Sequence, residues 1–481
     1  MSASLETIVA RAKRRWFVYP GSDIYGGLAN AWDYGPYGVL LKKNIADLRW
    51  KTFVQQRPDM VWLDAQILMH PRVWEASGHV GNFNDPMIDD KKTGDRFRAD
   101  KLIEDKIALI LEKIGTAGVT QAVNTVYKVD NLIPESWTFA QMKDFIDNEI
   151  PNNPNTNKKA DRTEVRKFTM MFYTYQGVFA NEENKVWLRP ETAQGIFVNF
   201  KNIIDTMRVR IPFGIAQIGK SFRNEITPGN FLYRTREFEQ MEIEYFVKND
   251  EDKGMEAFSL WRDQCADFLS RVIWLSPDNL RFRDHEKDEL SHYSKATIDV
   301  EYQYPRWWGE LQGLAYRTDF DLKQHQEFSK KDMQYSDPHT GKRYIPHVIE
   351  PSFGLSRTVL AVMLDAYAEE QYTDANGAEQ TRVVTRFNKY IAPIKFCIIP
   401  LVKKNPDMVK LAQDLYVRLS QHYMCEYDDS GNIGKCYRRQ DEIGTPYCIT
   451  IDHQTLEDST VTVRERDSMK QERISIDVVT L

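Results

Sequence analysis

Nowhere in the 481 residues does an apolar run reach the roughly 20 residues that a membrane-crossing helix needs. Membrane contact is therefore not expected. Cysteine is scarce: Cys265, Cys397, Cys425, Cys436 and Cys448 are five, an odd number, with no C-x-x-C spacing. A disulfide framework is excluded in so long a chain, and no zinc is expected from such spacing. Positive charge is not in surplus. Against 70 Asp and Glu stand 64 Lys and Arg, for a net charge of −6. A nucleic acid would have to be held by local basic patches on an acidic body. The N-terminus carries Lys13, Arg14 and Arg15 but no apolar stretch, so it is not a secretory signal, and a cytoplasmic location is the expectation. What is present is a globular composition, 42% hydrophobic, 12% aromatic and 28% charged, enough for a large core in two or three domains.

Texture divides the chain. Gly21 to Gly38 is a Gly/Tyr/Trp-rich loop, followed by a helical pattern from Val39 to Gln55 that ends at Arg57-Pro58. A β-like run from Met60 closes at His70-Pro71. Residues 85–166 are polar, and the PNNPNTNKKADR stretch beginning at Pro151 reads as a linker or exposed loop. β-rich character returns from Phe168, and a strand-then-helix unit spans His347 to Tyr367. The polar QYTDANGAEQTR after it reads as a boundary. From Ile391 strands alternate with helices, as in a small α/β domain. The expected layout is 1–84, 85–166, 167–390 and 391–481.

Two segments carry candidate chemistry. Phe222 to Phe246, FRNEITPGNFLYRTREFEQMEIEYF, reads as strand, loop, strand. Arg223, Arg234 and Arg236 gather at the loop, while Glu242 and Glu244 alternate with bulky apolar residues. Guanidinium groups suit phosphate, and buried carboxylates need cationic partners. A solvated charged hairpin is the alternative. Tyr344 to Tyr367 reads as a strand, a turn at Gly354 and a helix with Arg357 in its first turn. A helix N-terminus with an added arginine is a good anion site. An ordinary capped core helix is the alternative here. His285 opens an H-E-x-x-E run that lacks the second histidine of a metalloprotease, and no Ser-His-Asp or Cys-His signature appears.

With these residues in view, the chain resembles the glycyl-tRNA synthetases of the dimeric class II type over nearly its whole length. FRNE followed by R-x-R-E-F resembles motif 2, the Tyr344–Tyr367 segment motif 3, and the helix-strand-Pro pattern ending at Pro71 motif 1. The resemblance implies an α+β fold: an antiparallel catalytic sheet flanked by helices, an insertion between motifs 1 and 2, and a C-terminal α/β anticodon-binding domain. It also implies glycine, ATP with Mg²⁺, and tRNA(Gly) as partners, and a homodimer through motif 1.

By that resemblance Arg223, Arg357 and Glu310 are catalytic, with Glu310 a Mg²⁺ ligand beside the ATP phosphates. ATP is expected at Asn224, Glu225, Tyr233, Arg234, Thr235, Arg236, Glu237, Phe238, Leu311, Gly354, Leu355 and Ser356 as well. Glycine is expected at Arg98, Glu191, Phe238, Glu239, Gln240, Met241, Glu242, Arg317, Glu350, Pro351, Ser352, Phe353 and Gly354. The anticodon falls to Lys435, Arg438 and Arg439, for which a solvated charged loop is the alternative. Lys101, Thr169 and Val178 depart from the family's usual residues. No editing domain is expected, since nothing smaller than glycine competes for the site. Two other readings compete: a class II synthetase for another amino acid, and a binding protein that keeps the fold without the ATP site.

Overall fold

The computed structural model describes residues 4–114, 123, 125–129, 131–286, 290–291, 294–373 and 377–480. They form two compact units. One comprises Met1–Ile67, Glu191–Ser221 and Pro228–Leu481, the other Leu68–Pro190 and Phe222–Thr227.

The first unit is built on a seven-stranded sheet. Its order is Leu280–Asp284, Ala296–Tyr304, Trp307–Thr318, His347–Gly354, Glu237–Val247, Phe213–Phe222 and Met60–Trp62. The first five are antiparallel neighbours, whereas Met60–Trp62 runs parallel to Phe213–Phe222. Only three residues of the β-like run at Met60 form a strand of this sheet; beyond them the Leu63 amide donates to the Ala216 carbonyl and Leu68 makes a single bridge to Leu188.

Alternation sorts the side chains of the Glu237–Val247 strand. Met241, Ile243 and Tyr245 enter a core with Phe353, Trp261, Leu360 and Ile45. Phe238, Gln240, Glu242 and Glu244 take the opposite face. The helix read from Val39 begins earlier, with Pro36 at its first turn, runs to Trp50, and continues through a wider π-type turn over Lys51–Gln55. Gly38 is obligatory there: a Cβ would lie 1.8 Å from the Phe17 carbonyl oxygen.

Part of the Gly/Tyr/Trp-rich loop is strand, since Trp32–Tyr34 pairs with Val18–Pro20. The polar stretch read as a boundary is a hairpin, Tyr367–Thr373 with Glu379–Thr385, apart from residues 374–376, which lie outside the described residues. Its Arg382 is buried and tied to Glu370, to Asp441 and to the carbonyl of Arg466. Polarity marked this stretch as open chain, but alternate charges turn inward onto partners that sequence does not reveal.

A five-stranded sheet ends the chain, ordered Cys425–Tyr427, Phe396–Pro400, Tyr447–Ile451, Thr460–Glu465, Gln471–Ser475, with parallel pairing among the first three. Helix Pro406–Ser420 packs on it through Met408, Ala412, Leu415 and Leu419, giving the module its own core. All five thiols are buried. Burial pushes Cys265 up to about 12 and Cys425 and Cys436 up to about 11.

The second unit has a separate core of Ile88, Ile103, Trp137, Phe145 and Ile146. Its PNNPNTNKKADR stretch is a closed loop rather than a linker. Asn153 is buried and donates to Asp90, Thr93 and Asp95 at 2.7, 3.0 and 2.9 Å.

Candidate active site

Three adjacent strands place carboxylates on one face. Glu242 pairs across the sheet with Ser352, Ser352 with Gly313, and Glu350 with Ala315. Glu350 and Ser352 lie two residues apart in one strand and so project together. Register slips between Tyr316 and Thr318, and the extra residue is Arg317. Such a bulge re-aims a side chain. The buried Arg317 guanidinium reaches Glu350 at 2.8 Å and holds Asp321 through two bonds, 2.9 and 3.0 Å. Glu191, at the entrance of helix Ala193–Met207, lies 3.8 Å from Arg317 and accepts from Gln194 at 3.0 Å. Thr192 donates to Glu242. The result is a niche lined by Glu191, Glu242 and Glu350 around one guanidinium. Burial pushes Glu350 well above the usual carboxylate range; Arg317 opposes that, while Glu242 and Glu191 reinforce it.

Glu239 and Met241 take the other face of their strand. Glu239 pairs with Lys42 at 2.6 Å, and Met241 joins the core with Phe353. Pro351 and Phe353 alternate likewise away from Ser352, leaving only their backbone on the niche side.

A second group surrounds the start of helix Leu355–Asp365, whose N-terminal residue Gly354 supplies no side-chain cap. The free amides there suit an anion. Arg357 reaches back over the Tyr233 ring, 4.5 Å from its centroid, and pairs with Glu310 at 2.8 Å. Tyr233 in turn packs edge-on against Tyr304 and Trp307. Gly313 has no side chain, and a Cβ there would meet only Glu310 Oε1 at 3.6 Å and Asp299 Oδ1 at 3.9 Å. Two carboxylates thus flank open space, a donor set that fits Mg²⁺. Asp299 is also engaged by His285 at 2.8 Å; residues 287–289, the end of the H-E-x-x-E run, lie outside the described residues. Leu311 is buried, Ser356 is buried in the first helical turn, and Phe238 is half-buried on the face of Gln240.

The loop bearing Tyr233 is held by a residue that the motifs did not single out. Asn30 Nδ2 donates to the carbonyls of Phe231 and Arg234, both at 2.8 Å, and Trp32 donates to its Oδ1 at 2.8 Å. Asn230 and Phe231 both hold positive φ, 55° and 58°, so the loop needs such a clamp. The hint in sequence was the Gly/Tyr/Trp-rich stretch itself. The resemblance puts Tyr233 at ATP, so Asn30→Ala is expected to raise the KM for ATP about tenfold with a smaller change in kcat, equivalent to a net roughly 1–1.5 kcal/mol for the lost clamp. Steady-state pyrophosphate exchange checks it. Arg236 donates to Ala29 at 3.4 Å, Thr235 to the Glu237 carbonyl, Glu237 pairs with Lys220, and Arg234 is exposed.

In the second unit Arg223 donates to the Pro190 carbonyl at 3.2 Å and lies over Phe83, and the Asn224 amide binds the Met170 carbonyl. The Glu225 amide turns back onto the Arg223 carbonyl. Arg98 is held by Asp85 at 3.3 Å and by Asp100. Lys101 pairs with Glu104 on the surface, Thr169 caps the Met171 amide, and Val178 is exposed.

On the C-terminal sheet, helix Ile433–Ile443 carries the three basic candidates. Lys435 is exposed, Arg438 lies over the Tyr372 ring, and Arg439 is bound by Asp428 at 2.6 Å. Of the three, Arg439 is the one already neutralised.

Comparison with known proteins gives these sites a family. Residues 173–367 match the tRNA synthetase class II core domain (G, H, P, S and T), residues 85–131 the glycyl-tRNA synthetase insertion domain 1, and residues 395–480 the anticodon binding domain. A Glycine--tRNA ligase of Alkaliphilus oremlandii is 53% identical across 99% of this chain and 97% of its own length. Those of Geobacillus kaustophilus and Staphylococcus aureus are 53% and 51% identical over the same shares. Prolyl-tRNA synthetase of Cryptosporidium parvum shares the fold, with a TM-score of 0.60 at 12% identity over 98% of this chain and 72% of that one. Identity of this extent across the whole length, with the class II core at its centre, leaves one conclusion: the chain belongs to the glycine–tRNA ligase family.

Proposed function

We infer that this chain is a glycine–tRNA ligase: it activates glycine with ATP to glycyl-adenylate and pyrophosphate, then passes glycine to the terminal ribose hydroxyl of tRNA(Gly). The observation that carries the reading is the niche of Glu191, Glu242 and Glu350 one strand away from Arg357 and Glu310. An ammonium acceptor and a phosphate grip share one sheet.

In the first step a glycine carboxylate oxygen attacks the α-phosphorus and the bond to the β-phosphate bridge breaks. Two anions approach, so positioning and charge neutralisation supply the catalysis. The carboxylates of the niche bind the ammonium and orient the carboxylate outward. Arg357, freed from Glu310, takes the γ-phosphate; Arg223 takes the α-phosphate; Phe238 stacks on adenine. Glu310 and Asp299 would hold Mg²⁺, whose charge would offset that of the phosphates. Arg98 acts on the substrate side. The remaining ATP and glycine contacts follow the motif positions, through backbone groups where side chains turn away. In the second step the ribose hydroxyl attacks the glycyl carbonyl and AMP leaves. Lys435 and Arg438 meet the anticodon. The layout 1–84, 85–166, 167–390 and 391–481, a homodimer through motif 1, the helix-strand-Pro pattern ending at Pro71, and a cytoplasmic location complete the proposal.

Crowding by Glu191, Glu242, Glu350 and Ser352 is expected to exclude a methyl on the substrate's α-carbon, and excluding a larger competitor is easier than excluding a smaller one. Pyrophosphate exchange with a panel of amino acids tests this. Glycine is expected to support exchange, with alanine lower in kcat/KM by at least the roughly 200-fold upper end of single-methylene discrimination. Exchange with serine or proline but not glycine would sink the assignment.

A further inference from the structure

The niche holds more carboxyl groups than recognition of one ammonium requires. Glu244 lies two residues beyond Glu242 on the same face, fully buried, and neither of its oxygens has a hydrogen-bond partner. Oxygens of Glu242, Glu244 and Glu350 lie within 4.8 Å of one another. The charged groups facing them come from every neighbouring element. Glu191 approaches from the entrance of the Ala193–Met207 helix, and Asp321 and Arg317 from beyond the Glu350 strand. Arg49 lies behind the sheet, against Phe353. His325, on the Asp321 helix, is engaged with Gln194 at 2.8 Å, and its burial holds it below the usual imidazole value, so it adds no charge at neutral pH. Arg317 is the cation that opposes protonation of Glu244 and Glu350, while Arg49 attracts Glu242 alone of these five carboxyl groups.

Like charges so crowded and so dry do not all ionise, and a buried carboxyl without partners strongly favours its protonated form. We propose that the Glu242–Glu244–Glu350 cluster stores a proton while glycine is absent and releases it to solvent as glycine's ammonium enters, with Glu244 the positioning residue that retains it. This rests on the glycine-activation reading. Glycine keeps all three ammonium hydrogens; one carboxyl O–H bond breaks, and the proton leaves to buffer. Burial and the neighbouring Glu350 hold the Glu244 carboxyl well above its usual range, consistent with storage at neutral pH.

The sign follows. A stored proton competes with the ammonium, so the KM for glycine falls as pH rises, by up to about tenfold per pH unit while one proton is linked, and levels once the cluster is ionised. Calorimetric titration of the full chain with glycine, at one pH in phosphate and in Tris, counts the protons from the dependence of heat on buffer ionisation. The wild type is expected to release on the order of half to one proton per site. Glu244→Gln is expected to halve that count at least and flatten the pH slope of the glycine KM, leaving the KM for ATP unchanged. Glycine-dependent exchange with buffer-independent heat in the wild type sinks the proposal alone. A Glu244→Gln enzyme with the wild-type count and slope sinks the role of Glu244. Absence of both exchange and glycine heat sinks the activation reading together with it.

Discussion

Arg357→Ala is expected to lower kcat/KM for glycine-dependent ATP–pyrophosphate exchange by about 10³-fold or more, the scale of losing one preorganised cation on a transferring phosphoryl group. The guanidinium is aimed by four contacts: the Glu310 carboxylate, the Glu310 carbonyl at 3.1 Å, the Tyr233 carbonyl at 3.2 Å and the Tyr233 ring. Burial alone would lower its pKa, but Glu310 more than restores it, so the charge persists across the working pH range. Stability should change little, because the side chain is part-exposed and Glu310 can turn to water. Arg357→Lys keeps charge but loses the fork, and partial recovery is expected. An alanine variant within tenfold of wild type would remove Arg357 from the phosphate.

The second large effect falls on folding. Arg317→Met removes the guanidinium that Glu350 and Asp321 share, both pairs being almost fully buried. Breaking a buried pair from one side costs about 3–5 kcal/mol, because the remaining charge stays dry and uncompensated. The urea midpoint is expected to drop accordingly at pH 7. The loss should shrink as pH falls, since protonating Glu350 and its neighbours relieves the repulsion; folded-state pKa values pushed upward make that relief available early. A pH-independent loss would mean that packing against Phe197, not charge, is what Arg317 provides. Glycine activation is expected to vanish in either case.

How far sequence reached can be read from these residues. Alternation in REFEQMEIEYF put Glu242 among apolar neighbours, and the strand-turn-helix signature put Arg357 at a helix start; both are local patterns of period two or of a cap. Arg317 was named from resemblance only, because its direction depends on a bulge, and a bulge leaves no mark until the partner strand is known. Asn30 was no more than hinted at, for a similar reason: an asparagine in a Gly-rich loop looks like turn chemistry, and the Gly229, Phe231 and Arg234 carbonyls that accept from it lie about 200 residues away. The hairpin at Tyr367–Thr385 was hidden by polarity, since charges that find partners inside, as Arg382 does, look identical in sequence to charges in water. Glu244 was seen as alternating acid, but its isolation from any donor is a three-dimensional fact.

The burial of every thiol has a practical side. Cys265, Cys397, Cys425, Cys436 and Cys448 are all sheltered, and raised pKa values keep Cys265, Cys425 and Cys436 in the unreactive S–H form. The natural chain therefore already offers the quiet background that maleimide labelling requires. A single fluorophore placed through Lys435→Cys would test whether tRNA reaches this exposed helix position, without first stripping five cysteines from the protein interior.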